Sequence, residues 1–398
     1  MAGARAGIAA LLFGAAWAAA APTVVLVDGR EIEGAIGTSD GETAVVHLAA
    51  GGEERIAVRN LVVATAADPK RAPGAGAPFN LYLHGGDRLR GAVTGAGEEV
   101  RLDSPVVLGL RVPLDAVRAV RFGRLLGPQQ YSYAEVFDKE LQKARDVIVI
   151  QRDTRPFPVQ ARVLEIGEAS LAARVEDSRR DLDFARVYGF VRALDAERPA
   201  TPGVRVRAYL AGGERITLPL GRITSASVEG GGVHVVRDHV ERLEFLGDHV
   251  AHLSDFDPID VKQTALLGQP TPWRRDGMAL GGPLRLAGRT YERGIGALTY
   301  ARLEYVLGGR WETFFARCGI DDAGGAEGDA VFRVVADGKV LSEVRRRRGE
   351  EPQTVRVDVA GVDRLVLEAA PGDSYVSDFC DWAEARVFNT RAGEPGGK

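Results

Sequence analysis

The chain has 398 residues, of which 45% are hydrophobic and 27% are charged. This length exceeds the roughly 250–300 residues at which a single hydrophobic core usually stops growing, so we expect several domains. The formal net charge of −4 gives no overall attraction to nucleic acid or to an anionic membrane surface, and we expect no nucleic-acid partner. The 49 glycines and 19 prolines favour an all-β protein in which tight turns join short strands.

The N-terminal stretch, residues 1–20, has the form of a secretory signal peptide. Arg5 is followed by an apolar run from Ala6 to Trp17 and then by a row of alanines. The run is shorter than the roughly 20 residues that a membrane-spanning helix needs. We therefore expect cleavage after Ala20 and a secreted or periplasmic protein with no membrane span after signal cleavage.

A short unit recurs in the N-terminal half of the chain. The sequence GREIEG at 29–34 is echoed by GDRLRG at 86–91 and, less closely, by GERITL at 213–218. Each copy lies between runs in which apolar and polar residues alternate, the pattern of half-buried strands. The pattern resembles the Sm-like or SH3-like small barrels that occur as repeats in exported bacterial proteins, and one irregular multi-sheet domain is the alternative. We predict small β repeats at 22–66, 78–124, 147–195 and 203–248, the third of them divergent.

One helix is predicted within this half, in the connecting segment 130–146. Ser132 and Glu135 have the spacing of a capping box, in which a serine and a glutamate satisfy the free N–H groups at a helix start. Tyr133, Phe137 and Leu141 then fall on one helical face. We expect a connecting helix near 132–145 that packs across the β repeats.

No set of catalytic residues stands out, and we predict that the protein is not an enzyme. Gly37, Ser39 and Gly41 fit the Gly-x-Ser-x-Gly pattern of hydrolases, but no helical pattern follows, so a turn is expected. Zinc-binding and phosphate-binding motifs are absent from the sequence. The histidine pairs 234/239 and 249/252 are spaced so that neither pair converges along a strand, and we expect surface or turn histidines.

Two further features leave alternatives open. Cys318 and Cys380 permit one disulfide in an exported chain, and two buried free thiols are equally compatible with the sequence. The basic run 345–348 is interpreted as a solvated strand end or loop. A contact for a sulfated or uronate-rich polysaccharide is the alternative, because guanidinium groups bind planar anions in bidentate fashion.

The C-terminal part carries strand-like runs with longer loops, together with motifs in a characteristic order. These motifs are LSD at 253–255, Trp273, GPLRLAG at 282–288, RTYERGIG at 289–296, GIDD at 319–322 and DWAEA at 381–385. In this order they resemble the NPCBM family of carbohydrate-binding modules, which is also found with family-98 glycoside hydrolases. The resemblance covers residues 249–390, and 391–398 are expected to be a flexible tail.

The resemblance implies a galactose-binding-like jelly-roll β-sandwich that holds glycans without cleaving them. Leu298 is a departure, because the family commonly has a histidine within two residues after the Gly-x-Gly. Sugar binding needs an aromatic ring face and polar groups for the hydroxyls. Trp311 and Trp382 are expected in the core. The candidate carbohydrate-binding residues are Trp273, Arg275, Tyr291, Tyr300, Tyr375 and Asp381.

The acidic, glycine-rich segment 321–329 is a candidate for a structural calcium site. Asp321, Asp322 and Asp329 offer the hard oxygen ligands that Ca²⁺ prefers, although their spacing is not that of an EF-hand loop. A plain acidic turn is the alternative.

The sequence thus predicts an exported, non-catalytic protein that binds a polysaccharide or glycan through its C-terminal module and uses its β repeats as a scaffold. A scaffold that binds an envelope protein and no sugar is the alternative, suggested by the departure at Leu298. A hydrolase would need a carboxylate pair assembled across domains.

Overall fold

The computed structural model describes residues 21–122, 129–143, 145–152, 155–193, 203–263, 272–373 and 378–389. Strands and turns dominate these ranges, which contain one α-helix, so the predicted all-β class is confirmed. None of the helices within them is both long and apolar enough to cross a membrane. The predicted signal peptide, residues 1–20, lies outside the described residues and stays a prediction.

The N-terminal half is built from four successive groups of strands. The first group comprises β1 (Thr23–Leu26), β2 (Glu31–Ser39), β3 (Thr43–Leu48), β4 (Glu53–Ala57) and β5 (Leu61–Thr65). The second comprises β6 (Leu81–Leu83), β7 (Arg88–Leu89), β8 (Ala92–Ala96), β9 (Glu99–Asp103), β10 (Val107–Leu108), β11 (Arg111–Pro113) and β12 (Val117–Arg121). The third comprises β13 (Val147–Arg152), β14 (Arg155–Gln160), β15 (Arg162–Ile166), β16 (Ser170–Val175), β17 (Ser178–Asp183) and β18 (Val187–Val191). The fourth comprises β19 (Arg205–Leu210), β20 (Arg215–Pro219), β21 (Arg222–Ile223), β22 (Ser227–Gly230), β23 (Val233–Val236) and β24 (Val240–Leu246).

The four groups share one local design and are joined by strand pairing. In each, a short 3₁₀ turn precedes the last strand; the turns are Val58–Asn60, Leu114–Ala116, Phe184–Arg186 and Arg237–His239. The last strands then pair with one another, β5 with β24 and β12 with β18, both antiparallel. β7 also pairs with β20 and β10 with β23, so the second group is linked to the fourth and the four groups form a continuous hydrogen-bonded structure.

The single helix, α1 (Gln129–Leu141), packs against the third group of strands. Tyr133 and Phe137 lie on the inner face of this helix and are buried, as their spacing in the sequence predicts. The helix begins three residues before Ser132, so the predicted capping box lies inside the helix. It also ends earlier than predicted, where the buried guanidinium of Arg118 donates to the carbonyl oxygens of Leu141 and Lys143, 2.8 Å from each.

The C-terminal part is a sandwich of two antiparallel sheets. The first sheet has the order β27 (Trp273–Arg275), β30 (Gly294–Leu298), β37 (Phe379–Phe388), β32 (Thr313–Ile320) and β35 (Gln353–Asp358), and β25 (Val250–His252) also pairs with β37. The second sheet has the order β26 (Asp260–Gln263), β31 (Ala301–Val306), β36 (Arg364–Pro371), β33 (Asp329–Ala336) and β34 (Lys339–Arg347). A separate hairpin is formed by β28 (Leu284–Leu286) and β29 (Arg289–Tyr291).

The core between the two sheets is aromatic. The Trp382 ring meets the rings of Phe332 and Phe314 edge to face, with centroids 5.2 and 6.5 Å apart. Trp311 also belongs to this core, so the prediction that Trp311 and Trp382 are structural is confirmed.

A buried arginine joins the sandwich to the N-terminal half. Arg386, on β37, is fully buried and donates to the carbonyl oxygens of Leu26 and Val27, 3.1 Å from each. Its guanidinium lies 4.1 Å from the centroid of the Phe315 ring. An apolar cluster surrounds this contact, with Val27 and Val62 from the first group of strands and Val250, Phe315 and Phe388 from the sandwich.

A second buried contact at the same junction is an ion pair. Arg293 Nε donates to Glu244 Oε1 over 2.8 Å, and Glu244 lies on β24 and is fully buried. Burial alone raises the pKa of Glu244, but the charge of Arg293 is the main influence that outweighs burial and holds this pKa at about 2. Arg293 also contacts Asp255 and Asp276, so its charge is shared among three carboxylates.

His249 and His252 lie in this junction. His249 lies in a turn, as one of the expected alternatives has it, whereas His252 is on β25, where the expectation of a surface or turn residue is wrong. Both are buried, and no described atom hydrogen-bonds to their ring nitrogens. Burial lowers the pKa of His249 to about 4, and burial together with the nearby Arg293 lowers the pKa of His252 to about 3. The Nε2 of His252 is 3.8 Å from Glu244 Oε1, so a neutral imidazole completes the ion-pair cluster.

The Arg386 contacts predict a large effect of one substitution. Arg386→Met removes the donors to two buried carbonyl oxygens while keeping an unbranched side chain, and it should lower the free energy of unfolding by about 3 kcal/mol. Urea unfolding followed by circular dichroism measures this loss. The matched control is Arg111→Met at an exposed position, which should change stability by less than about 0.5 kcal/mol. Equal effects of the two substitutions contradict the importance of the junction.

The two buried histidines predict a loss of stability in mild acid. Their pKa values are lower in the folded state than the ordinary value near 6.5, so the unfolded state binds more protons below that pH. Stability should therefore fall as the pH drops from 6.5 towards 4. At pH 5 the loss should be about 2 kcal/mol for each histidine. Unfolding free energies at pH 7.5 and pH 5 should differ less for the double variant His249→Gln/His252→Gln, and an unchanged pH dependence in that variant contradicts the assignment.

Candidate functional site

One end of the sandwich carries two of the predicted sugar-binding aromatic residues. β27 begins at Trp273, and Tyr300 lies in the turn between β30 and β31. Trp273 pairs with Ala297 near the end of β30, and Gln263 pairs with Ala301 at the start of β31. Both aromatic residues therefore belong to the same end of the sandwich. Tyr300 is 50% exposed, whereas Trp273 is partly buried against the core.

Trp273 faces the interior rather than the solvent. Its cross-strand neighbour Ala297 is a core residue, and residues directly opposite each other on paired strands point to the same face. Arg275 is exposed and forms an ion pair with Asp257, and its guanidinium lies 5.6 Å from the centroid of the Trp273 ring. Arg275 therefore already has an acidic partner and an aromatic neighbour within the chain.

Tyr291 and Asp381 are enclosed by the hairpin β28–β29. The Tyr291 side chain is buried with Leu284, Leu286 and Ala383, so its ring offers no free face to a ligand. Asp381 lies on β37 between Gly296 and Gly319 and is fully buried. Burial, together with the neighbouring Asp321 carboxylate, raises the pKa of Asp381 well above its usual range.

The sixth candidate, Tyr375, lies outside the described residues. Its role in sugar binding stays a prediction, and no described atom tests it.

The arginine run 345–348 is paired with acidic residues along its whole length. Arg345 donates to Asp329 over 2.8 Å and also pairs with Asp373, and Arg347 approaches the same two carboxylates. Arg346 pairs with Glu350, and Arg348 lies 3.4 Å from Asp322. The prediction of a solvated strand end is therefore incomplete: the run supplies counter-charges to the acidic segment, and each guanidinium already has a carboxylate partner.

The three aspartates predicted to bind calcium have separate partners. The hydrogen bond from Arg345 lowers the pKa of Asp329 to about 2. Asp322 accepts from the N–H of Gly288, and Asp321 accepts from the N–H groups of Arg285 and Ala323. Within the described ranges, no three His, Cys, Asp or Glu side chains form a group that could hold a metal ion. These residues do not fit a calcium ion as one ligand set.

Two smaller predictions are decided by the geometry. Cys318 and Cys380 are both buried free thiols on the neighbouring strands β32 and β37. Cys318 lies opposite Trp382 and Cys380 lies opposite Ile320, so the two cysteines are diagonal neighbours. Ser39 ends β2 and its hydroxyl accepts from the Gly41 N–H, which confirms the turn predicted for the Gly-x-Ser-x-Gly pattern.

An open groove of about 290 Å³ lies beside Tyr300. Besides the tyrosine, it is lined by two alanines and by the polar residues Lys262, Gln263, Arg302 and Glu368. Analysis of the sequence missed these four residues, because they come from three strands that are separated along the chain. Only the strand register brings them together: Arg302 pairs with Lys262 on one side and with Glu368 on the other.

A second groove, of about 780 Å³, lies in the N-terminal half between the β2–β3 turn and the strands β21 to β23. Its charged residues pair with each other, since Arg222 Nε contacts Glu229 Oε2 and His234 lies 3.6 Å from Glu229 Oε1. No Phe, Tyr or Trp ring lines it. This groove therefore lacks the ring face that sugar recognition favours.

Comparisons with known proteins found similar sequences and structures. A family model described as "NPCBM/NEW2 domain" matches residues 249–388. A protein of Renibacterium salmoninarum named "Putative endo-alpha-N-acetylgalactosaminidase" is 35% identical over 110 residues. That match covers 27% of this chain and only 7% of the length of the relative.

Solved structures of similar proteins include CBM51 modules. The CBM51 module of a Clostridium perfringens GH95 protein, solved in complex with methyl-galactose, is 22% identical with a TM-score of 0.32. It covers 35% of this chain and 99% of that module. The tandem CBM51 modules of a family 98 glycoside hydrolase from Streptococcus pneumoniae are 12% identical with a TM-score of 0.32, covering 92% of this chain and 87% of that one.

The family match falls on the two-sheet sandwich described above and spans the motifs that suggested it in the sequence. The predicted resemblance is confirmed for this part of the chain. Residues 249–388 match the model of the NPCBM/NEW2 domain, the family that the sequence motifs of this part of the chain resemble.

Proposed function

We propose that the protein is an exported, non-catalytic carbohydrate-binding protein in which the NPCBM domain binds a glycan and the N-terminal strands serve as a rigid support. The observation that carries this proposal is the family match over residues 249–388. The exposed ring of Tyr300 beside a polar groove adds the aromatic and hydrogen-bonding surface that sugar recognition needs.

The junction with the N-terminal half supports the role of a rigid support. Arg386, Arg293 and Glu244 are charged groups that the two halves enclose together. Separating the halves would expose the apolar cluster around Phe315 and break the buried ion pair, which costs several kcal/mol. The domain is therefore held in one orientation, and binding experiments should use the full chain.

A second candidate function is a protein-binding envelope scaffold without sugar binding. The observation in its favour is Leu298, which stands where the family commonly has a histidine and pairs with another apolar residue, Phe379. A scaffold of this kind would retain its protein partners after enzymatic deglycosylation of an envelope extract, whereas a glycan-binding protein would not.

The proposal predicts direct binding of glycans by the full chain. On an array of neutral, sulfated and uronate-containing oligosaccharides, the full chain should bind a subset with dissociation constants in the micromolar to millimolar range that isothermal titration can measure. Circular dichroism confirms that the protein used is folded. A folded full chain that binds none of these oligosaccharides, and that captures the same proteins from intact and deglycosylated envelope extracts, contradicts the proposal and favours the scaffold.

A further inference from the structure

The outer face of the second sheet is the open face of the NPCBM domain. The first sheet and the hairpin β28–β29 contact the N-terminal half through Arg386, Arg317 and Arg289, of which the last two pair with Glu31. Among the described residues, no hydrogen bond or ion pair joins the outer face of the second sheet to the N-terminal half. A ligand can therefore reach this face without disturbing the junction.

One row of side chains crosses this open face from edge to edge. The register of the five strands aligns Lys262, Arg302, Glu368, Arg333 and Glu343 directly opposite one another in that order. The residues before and after Arg302 and Glu368 include core alanines, so the row itself points outwards. The row ends beside Tyr300, where the groove of about 290 Å³ opens.

The charges of this row are balanced by contacts within the chain. Arg333 donates to Glu368 and to Glu343, at 2.7 and 2.6 Å. Arg302 lies 3.0 Å from Glu304 and 3.6 Å from Asp260, and Lys262 lies 3.5 Å from Asp260. Arg364 pairs with Glu304 at 3.1 Å. The four basic and four acidic side chains of this face therefore neutralise one another, and the groove has no excess charge to attract an anion.

The groove nevertheless offers hydrogen-bonding groups that the chain does not fully use. The Gln263 side chain lies on the core side of the sheet, because Gln263 pairs with the core residue Ala301, and its amide nitrogen is buried away from the groove. Glu368 and Arg302 point outwards and line the groove, and they have acceptor and donor capacity beyond their ion pairs. A ligand hydroxyl in the groove can therefore donate to Glu368 and accept from Arg302.

The volume fits a small ligand. Sites for drug-sized molecules usually span ~300–1,000 Å³, and the groove of about 290 Å³ lies at the lower end of that range. This volume suits a single sugar ring better than a stretch of several rings. The exposed Tyr300 ring forms one wall and offers its face to the C–H side of such a ring.

We propose that this groove is a subsite for one neutral pyranose unit of a glycan, which stacks on Tyr300 and hydrogen-bonds to Arg302 and Glu368. The proposal rests on the proposed function of the domain and specifies its location and ligand class. The subsite does not use residue 298, so the departure at Leu298 leaves it intact. Balanced charges exclude uronate-rich and sulfated glycans as preferred ligands, and the paired arginine run 345–348 offers them no free guanidinium.

The test compares ring removal at the groove with ring removal elsewhere. Full-length wild type, Tyr300→Ala and Tyr300→Phe are titrated with the neutral oligosaccharide that binds most strongly on the array. Tyr300→Ala should weaken binding at least about tenfold, whereas Tyr300→Phe, which keeps the ring face, should stay within about threefold of wild type. Phe157→Ala is the matched control, because Phe157 is a 45% exposed aromatic residue in the N-terminal half, and it should bind as wild type does.

The outcomes separate this proposal from the proposed function. Unchanged affinity of a folded Tyr300→Ala variant overturns the subsite while glycan binding by the domain stands. A wild-type preference for uronate-containing or sulfated oligosaccharides overturns the neutral ligand class. If the folded wild type binds no oligosaccharide, the proposed function fails and the subsite fails with it. Thermal melting of each variant confirms folding, since Tyr300 is half exposed and its loss should leave the melting temperature unchanged.

Discussion

The buried guanidinium of Arg386 is the contact on which the arrangement of this protein depends. A charged group without water is costly unless its donors are satisfied. Arg386 finds its acceptors on the backbone of Leu26, at the end of β1, and of the next residue, Val27, more than 350 residues earlier in the chain. The Glu244–Arg293 ion pair is a second buried polar contact in which each half satisfies a charged group of the other. Each half therefore supplies hydrogen-bond acceptors or a counter-charge to buried groups that the other half cannot satisfy alone. This explains why Arg293, which belongs to the motif that identifies the domain, serves the junction.

The junction also determines which surfaces of the domain remain available. It covers the side on which Arg289, Arg293 and Arg317 lie, and the hairpin β28–β29 seals Tyr291 and Asp381. The outer face of the second sheet stays open, with an exposed aromatic ring and balanced charges. A neutral glycan is the ligand class that fits such a surface, because stacking and hydrogen bonds to hydroxyl groups need no net charge.

The sequence was informative about local structure and less so about long-range contacts. Alternation of apolar and polar residues predicted strands correctly, because the period of side chains along a strand is a local property. The pairing of β5 with β24 and of β12 with β18 joins residues far apart in the chain, and no local pattern encodes it. The helix was found but placed too late, since Ser132 suggested a cap that the structure does not use there.

The candidate site shows the same division. Tyr300 was identified from its position in a loop-like stretch, and it is exposed as expected. By sequence alone, Tyr291 is as good a candidate for sugar binding as Tyr300. Its burial depends on the packing of the hairpin β28–β29 against β37, which is a tertiary contact that a local pattern does not encode. Gln263, Arg302 and Glu368 were missed, because their proximity follows from the register of three strands. The burial of His249 and His252 was missed, because a strand argument excluded metal binding but gave no information about burial.

The account is tested most directly by hydrogen–deuterium exchange of the full chain with and without a saturating neutral oligosaccharide. Sugar binding beside Tyr300 should slow exchange in peptides that cover the β30–β31 turn and the neighbouring parts of β26 and β36, while the junction peptides around β1 and β24 remain unchanged. Protection confined to the hairpin β28–β29, to the junction or to the N-terminal groove, under conditions where titration shows full occupancy, would contradict the account.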